Sequence, residues 1–489
     1  MGLKIEKKVE KINGKELNYN QFVTKYLVQN QPVILTGLME DWRACKDWVL
    51  ENGKPNLQFF STHFGKSKVQ VADCGIREFT DQKRLEMLVS EFIEKWVELC
   101  SPRESLDEEF DGKSLLYLKD WHFVKEYPEY HAYETPLLFR DDWLNLYLDK
   151  YHMHTDPDSY QETNEISCSD YRFVYMGPKG TWTPLHADVF RSYSWSANVC
   201  GKKQWFFLSP SQHHLVFDRH MTNSVYNIFE DVSETKFPGF KEALWWECTQ
   251  EQDDIIFVPS GWYHQVHNVE DTISINHNWF NAYNVSWVWD LLLKDYKEAR
   301  NLIEDIKEIC DDFEGLCQRN LAANTGMNFR DFLFFMVRFA FANLLQLHHL
   351  ARCDENLHCW LSQIAHQLVF NLQSIRNIAL KMISIEVCNG MVIHSNKIVE
   401  DHSFMELCTS IKETYGMTHG PHEITYKEKM ALCSDMDATL CNFSNCVGSS
   451  EDLVLLIDFG LKKFGLVAGE NLTSWKSRCN PEEQLSCDD

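Results

Sequence analysis

Residues 183–210 read TPLHADVFRSYSWSANVCGKKQWFFLSP, and their pattern indicates the fold class. Apolar and aromatic residues come in two short runs, 189–200 and 203–209, with Gly201 between them. Short runs of this composition, bounded by turn residues, predict β-strands. Similar runs lie nearby: YRFVYMG at 171–177, DDIIFVP at 253–259 and TISINHNW at 272–279. Many short strands at this spacing predict a double-sheet jelly roll or barrel.

The periodicity changes on both sides of this β-rich region. Upstream, QPVILTGLMEDW at 31–42 predicts a short strand followed by a turn and the start of a helix. KVQVADC at 68–74 and SLLYLKDW at 114–121 predict strands, whereas the first 30 residues and residues 84–98 have helical spacing. Downstream, residues 285–318, 329–352 and 360–387 predict three long helices, and residues 452–464 predict a short one. The pattern therefore predicts an α+β protein with a helical C-terminal region.

Four regions follow from these patterns. We expect an N-terminal α/β segment at 1–140 that packs on the core, a jelly-roll core at 141–290, a helical region at 291–435, and an acidic, partly disordered tail at 436–489. The apolar run at 332–347 is interrupted by Arg338, Asn343 and Gln346, so it predicts a buried helix and no membrane association.

The charge balance limits the class of partner. The chain has 47 Lys and Arg against 72 Asp and Glu, a net charge of −25. Direct nucleic-acid binding is not expected, because it needs a basic surface. A basic protein segment is compatible with this charge, although solubility alone also accounts for it. The start of the chain has no apolar signal segment, and the 17 Cys are scattered, so reduced thiols in the cytoplasm or nucleus are expected.

Three residues form a candidate metal site. His186 and Asp188 are two residues apart, and on a strand such residues point to the same face. His264 follows a Pro-Ser-Gly turn at the end of the strand DDIIFVP. Two His and one carboxylate on a β scaffold are typical of non-haem iron(II) oxygenases, in which three coordination positions stay open. His267 is the competing ligand, and we place it second because it lies on the opposite strand face.

The segments around these residues resemble the JmjC group of cupin-like iron(II)/2-oxoglutarate oxygenases. The resemblance covers roughly residues 20–290 and rests on QPVILTGLMEDW, KVQVADC, YMGPKGTWTPLHAD, GKKQWFFLSP and DDIIFVPSGWYHQVHN. It implies a double-stranded β-helix fold, iron(II) held by His186, Asp188 and His264, 2-oxoglutarate as cosubstrate and dioxygen as oxidant.

The resemblance also implies a set of cosubstrate contacts. Lys203 matches the lysine that binds the far carboxylate of 2-oxoglutarate, whereas Lys202 points the other way on a strand. Thr183 matches a hydroxyl position used by several members. Tyr117 resembles a tyrosine that donates to the same carboxylate, with a plain core tyrosine as the equal alternative.

Three asparagines complete this set. Asn276 lies where relatives carry Thr or Ser facing the cosubstrate, and Asn278 matches an Asn near the iron. Ser196 departs from a common Asn, and Asn198, two residues later, is the candidate substitute.

The expected activity is hydroxylation of a protein lysine side chain on carbon, with the translation termination release factor as the substrate that the resemblance implies. Two alternatives stay open: N-methyl-lysine demethylation on the same centre, and a cupin-like binding protein without catalysis. The C-terminal helices could build a homodimer or a platform for the substrate.

Overall fold

The computed structural model describes residues 2–100, 114–153, 170–352, 359–385, 393–394, 401–419 and 446–464. The chain forms two compact units. The first comprises Met1–Pro136 and Ser169–Trp279, and the second comprises Leu137–Cys168 and Phe280–Asp489.

The smaller of the two large sheets in the first unit has five strands. Their order across the sheet is β1 (Lys4–Lys8), β11 (Leu244–Gln250), β10 (Lys203–Leu208), β13 (Tyr263–Asn268) and β8 (Trp182–His186). All neighbours are antiparallel except β1 and β11, which are parallel.

The larger sheet has nine strands. Their order is β2 (Glu10–Asn13), β3 (Val33–Thr36), β12 (Ile255–Val258), β9 (Tyr193–Cys200), β14 (Thr272–Trp279), β7 (Arg172–Gly177), β6 (Leu116–Trp121), β4 (Lys68–Glu78) and β5 (Asp81–Leu88). Only β2 and β3 pair in parallel.

The core of this unit lies between the two sheets. Side chains alternate along each strand, so one face of each sheet carries the apolar residues. The small sheet contributes Trp205, Phe207 and Val266, and the large sheet contributes Ile34 and Ile256 to the same buried cluster. Burying one such side chain stabilises the fold by roughly 1.5–3 kcal/mol. Two facing sheets with this shared core confirm the predicted jelly roll.

Five helices of the first unit surround the sheets: α1 (Tyr19–Phe22), α2 (Arg43–Asp47), α3 (Leu57–Phe64), α4 (Val89–Cys100) and α5 (Phe123–Glu126). Helix α1 begins at a capping box in which the Asn18 side chain accepts from the Gln21 N–H and the Gln21 side chain accepts from the Asn18 N–H. Helix α3 begins where the Asn56 side chain accepts from the Phe59 N–H, and it is followed by Gly65.

Two helix predictions in this unit are wrong in part. The N-terminal segment starts as strands β1 and β2, which pair with β11 and β3, more than twenty residues away in each case. Residues 84–88 belong to strand β5, and the helix starts only at Val89. The reason in the second case is the β4–β5 hairpin, in which Val71 pairs with Leu85 and Lys68 with Leu88. Tertiary pairing overrides a local helical period.

The described part of the second unit is mostly helical. Its helices are α6 (Trp143–Leu148), α7 (Val285–Leu302), α8 (Phe313–Thr325), α9 (Phe329–Arg352), α10 (Cys359–Ile383), α11 (His402–His419) and α12 (Ser450–Lys463). Two short strands, β15 (Ile393–His394) and β16 (Cys446–Val447), pair with each other. The predicted helix 285–318 is therefore divided between α7 and α8. Helix α9 has the predicted bounds, and α12 confirms the predicted helix near the C-terminus.

Helix α9 is an apolar helix of this unit. Its segment Phe329–Leu350 is long and apolar enough to cross a membrane by length and composition alone, but 78% of that stretch is buried within the fold. Such burial is typical of the core helix of a globular domain. The predicted acidic tail beyond residue 464 lies outside the described residues.

Candidate metal centre and cosubstrate pocket

The structure brings His186, Asp188 and His264 together. His186 ends strand β8 and is the register partner of His264 on strand β13, so both side chains lie on the same face of the small sheet. Their ring centroids are 4.3 Å apart. One ligand atom from each of the three residues lies within 4.8 Å of the other two. The two strands and the turn after β8 thus build one site from residues 76 positions apart.

Backbone carbonyls fix the tautomer of both histidines. The Nδ1 of His186 lies 2.8 Å from the carbonyl oxygen of Pro184, and the Nδ1 of His264 lies 3.2 Å from that of Trp262. A carbonyl can only accept, so each Nδ1 carries the proton and donates it. Each Nε2 then has a free lone pair for a metal ion, which is the usual arrangement for metal-binding histidines.

Asp188 is oriented by a serine. The Ser194 hydroxyl at the start of β9 donates to Asp188 Oδ2 over 2.7 Å. This hydrogen bond restricts rotation of the Asp188 carboxylate beside the two imidazoles.

The surroundings of His264 keep its imidazole neutral. The side chain is buried against Trp205 and Phe207, with ring centroids 5.5 Å and 5.8 Å away. Burial and the nearby His186 both lower the pKa of His264. A neutral imidazole is the form that binds a metal. Two imidazole nitrogens and one carboxylate oxygen form the donor set that iron(II) takes in non-haem oxygenases, so the residues fit this metal.

His267 does not belong to this group. Its Nε2 lies 2.8 Å from Gln265 Nε2, and its ring stacks on Trp182 at 5.7 Å between centroids. It lies three residues after His264, on the opposite face of β13. His267 therefore lies outside the group formed by His186, Asp188 and His264.

Lys203 lies in the same layer between the sheets. It is 2% exposed and donates to Ser274 Oγ over 2.7 Å and to Tyr117 OH over 3.3 Å. Among the residues described, no carboxylate oxygen lies within 4.0 Å of its ammonium group. Burial lowers the pKa of Lys203 to about 7. A buried ammonium group with hydroxyl partners and no counter-ion fits a ligand that brings its own carboxylate.

A β-bulge in strand β8 sets the direction of the Thr183 side chain. His186 pairs with His264, and Thr183 pairs with Val266, so a spacing of three residues along β8 matches a spacing of two along β13. The extra residue brings Thr183 onto the face of His186 and Val266. Without it, a residue three positions from His186 would face away. The predicted hydroxyl therefore lies on the inner face of the pocket.

The three predicted asparagines have different surroundings. Asn276 donates to Ser274 Oγ over 3.3 Å, and Asn278 donates to Ser192 Oγ over 3.3 Å. Asn198 donates to the carbonyl oxygens of Gly201 and Glu251, over 2.7 Å and 3.2 Å. The Asn198 amide group therefore holds the turns at the end of β9, and its contact with a cosubstrate stays a prediction.

Two serines that contact predicted site residues were not predicted from the sequence. Ser274 is a direct partner of Lys203, and Ser194 is the partner of Asp188. Both belong to alternating small polar positions of the inner face, which are Ser194, Ser196 and Asn198 on β9 and Ser274, Asn276 and Asn278 on β14. That alternation is visible in the sequence and marks a polar face inside an otherwise apolar barrel. The Ser196 hydroxyl on this face is buried without a hydrogen-bond partner in the described residues.

Comparison with known proteins agrees with this geometry. Residues 19–284 match the family of the cupin-like domain. The chain is 56% identical over 460 residues to "Arginine-specific demethylase JMJ20" of Arabidopsis thaliana, covering 94% of this chain and 97% of that protein.

Two animal proteins with the same printed name are also similar. The "2-oxoglutarate and iron-dependent oxygenase JMJD4" of Danio rerio is 38% identical over 374 residues, covering 74% of this chain and 83% of its own length. Its counterpart in Homo sapiens is 33% identical over 341 residues, covering 69% and 77%. The fold, the donor set and these similarities lead to one conclusion. The chain belongs to the JmjC family of cupin-like oxygenases, which depend on iron(II), 2-oxoglutarate and dioxygen.

Proposed function

We propose that this oxygenase hydroxylates a carbon atom of a lysine side chain in a protein, and that this protein is the translation termination release factor. The observation that carries the catalytic part is the triad of His186, Asp188 and His264 on the layer that also holds the buried Lys203. The sequence resemblance supports the lysine target. The net charge of −25 is compatible with a basic substrate.

Each part of the site has a task in this reaction. Iron(II), 2-oxoglutarate and dioxygen together supply the oxidation of an unactivated C–H bond, with succinate and carbon dioxide as the other products. His186, Asp188 and His264 would hold the metal, while Lys203, Tyr117 and Ser274 would orient the far carboxylate of the cosubstrate. Trp205 and Phe207 cover one side of His264 and exclude water there.

Demethylation of methylated arginine is the second candidate, because a relative that is 56% identical is named an arginine-specific demethylase. The same centre would oxidise the N-methyl carbon, and the resulting hydroxymethyl group leaves as formaldehyde. Demethylation of N-methyl-lysine uses the same chemistry. A binding protein without catalysis is disfavoured, because the complete triad and the buried Lys203 would then have no use.

Partners and location follow as parts of the same proposal. A substrate that works in translation places the enzyme in the cytoplasm, and the nucleus is the alternative. Homodimer formation through the C-terminal helices stays a prediction, which light scattering on the purified chain measures directly. Neither nucleic acid nor a membrane is needed for the proposed reaction.

A mass-spectrometric assay tests the proposal. The chain is incubated with iron(II), 2-oxoglutarate and a release-factor domain in one reaction, and with a dimethyl-arginine peptide in another. We expect one added oxygen atom on a lysine-containing peptide, and no such product with Asp188→Ala. Loss of a methyl group from the arginine peptide, without oxygen on the release factor, would contradict the proposal and favour demethylation. Conversion of 2-oxoglutarate to succinate in either reaction separates a wrong substrate from an inactive enzyme.

A further inference from the structure

A second lysine is buried beside the cosubstrate pocket. Lys119 on β6 is 2% exposed, as is Lys203 on β10 of the other sheet. The ring of Tyr117 lies near both ammonium groups, with its centroid 5.4 Å from Lys119 Nζ and 6.0 Å from Lys203 Nζ. One aromatic ring therefore has a buried cation from each sheet next to it.

The only hydrogen bond of the Lys119 ammonium group in the described structure goes to a neutral side chain. Lys119 Nζ donates to Gln82 Oε1 over 2.8 Å. Gln82 is itself buried, and its Nε2 donates to the carbonyl oxygen of Trp182 over 3.1 Å. Trp182 is the first residue of β8, the strand that carries Thr183 and His186. Lys119 is thereby connected to the wall that holds the metal ligands.

The nearest carboxylates already have another partner. Asp81 and Asp120 both pair with Arg84, over 3.3 Å and 2.9 Å, and both side chains are partly exposed to solvent. Within the described residues, neither makes an ion pair with Lys119. Both carboxylates attract Lys119 without forming an ion pair with it, and burial still lowers the pKa of the ammonium group overall.

Two like charges around one ring raise the electrostatic potential of the pocket. Burial lowers the pKa of Lys119 to about 8, with Arg84 as the next cause, and the charge of Lys119 in turn lowers the pKa of Lys203. Repulsion between two buried ammonium groups is relieved when an anion enters between the sheets. 2-Oxoglutarate carries two carboxylates, of which one is free to face Lys203.

We propose that Lys119 is a positioning residue for 2-oxoglutarate, a second cation that strengthens binding of the far carboxylate through Tyr117 and Gln82 without touching it. The inference rests on the Lys203 end of the barrel being the cosubstrate pocket and is independent of the identity of the protein substrate. It predicts that the charge at position 119, and not its packing alone, sets the affinity for 2-oxoglutarate.

The test measures the dissociation constant of 2-oxoglutarate by calorimetry, with manganese(II) in place of iron so that no turnover occurs. Lys119→Met removes the charge at similar length, and Lys119→Arg keeps it. Lys202→Met is the matched control, because Lys202 is partly exposed and paired with Glu251. We expect Lys119→Met to weaken binding roughly tenfold near pH 6, equivalent to about 1.4 kcal/mol, and Lys119→Arg to restore most of it.

The pH dependence of 2-oxoglutarate binding distinguishes the charge of Lys119 from its packing, because loss of packing alone would not shift that dependence. The groups that face Lys203 are Tyr117, Lys119 and Cys200. Removing the charge of Lys119 raises the pKa of Lys203, so in Lys119→Met the loss of affinity with rising pH should begin at a higher pH than in the wild type. Lys119→Gln replaces Lys119→Met if the latter does not fold.

Three outcomes decide the matter. Weakened binding with a displaced profile and rescue by Lys119→Arg supports the proposal. Unchanged affinity in folded Lys119→Met, or equal losses in Lys119→Met and Lys119→Arg, would overturn it and leave Lys119 a structural residue. Unchanged affinity in Lys203→Met would instead refute the location of the cosubstrate pocket itself.

Discussion

The Ser194 hydroxyl donates to Asp188 Oδ2 over 2.7 Å, across the turn that separates strand β8 from strand β9. The acceptor is two residues beyond His186, and the donor is the second residue of the next strand. This bond joins a metal ligand that follows strand β8 of the small sheet to strand β9 of the large sheet. The geometry of the triad therefore depends on both sheets.

Ser194→Ala tests this bond. Without the hydroxyl, the Asp188 carboxylate can rotate away from the two imidazoles, and outer partners of metal ligands typically contribute roughly 10- to 100-fold to metal affinity. We expect a loss in that range, measured by titration with manganese(II). Ser211→Ala, at an exposed position, is the control and should bind the metal like the wild type. Wild-type affinity in Ser194→Ala would show that packing alone orients Asp188.

The choice between the two nearby histidines can be tested directly. His264→Ala removes a member of the triad, so metal affinity should fall by more than the roughly 100-fold that an outer partner contributes. His267→Ala removes a ring that stacks on Trp182 on the other face of the same strand, and metal binding should persist. Manganese(II) titration of both variants measures the difference. If metal binding were instead lost in His267→Ala and kept in His264→Ala, His267 would be the metal ligand.

Lys203→Met should abolish most cosubstrate binding while the metal still binds. The variant keeps the length of the side chain but removes the charge that hydroxyl groups of Ser274 and Tyr117 surround. Charge-assisted hydrogen bonds contribute roughly 1.5–3 kcal/mol, so the dissociation constant of 2-oxoglutarate should rise about 10- to 100-fold. Calorimetry measures it, with Lys202→Met as the control. A change in metal affinity instead would indicate that Lys203 acts on the metal centre.

The affinity for 2-oxoglutarate should depend on pH through Lys203. Its pKa is lowered to about 7 by burial, from an ordinary value of 10.5. Below about pH 7 the ammonium form is present and binds the carboxylate, whereas above it binding must take up a proton. We expect the affinity to be greatest on the acid side and to fall by up to about tenfold per pH unit above it. In Lys203→Met the affinity for 2-oxoglutarate should no longer depend on pH in this range. A wild-type affinity that does not change with pH would contradict the lowered pKa of Lys203.

Much of the site could be predicted from the sequence because its geometry is local. His186 ends strand β8 and Asp188 follows two residues later in the turn, so these two ligands are close by their spacing alone. The Pro-Ser-Gly turn marks the end of strand β12, and His264 lies near the start of the next strand. The alternation of short strands and turns predicted the jelly roll, and the later helical period predicted α9 with its bounds.

Other features depend on which strands pair and in which register. The β-bulge that turns Thr183 inward exists only in the register of β8 against β13, and residues 84–88 are extended because β4 pairs with them. Local periodicity cannot predict either, since the partners that stabilise these residues lie on another strand.

The candidate metal ligands, the jelly-roll class and Lys203 could all be predicted from motifs in the sequence. The fold was needed to show that Ser194 donates to Asp188, that Ser274 contacts Lys203, and that Lys203 and Lys119 lie at the same tyrosine. A residue's chemistry is fixed by its side chain, whereas its partners are fixed by which strands pair and in which register.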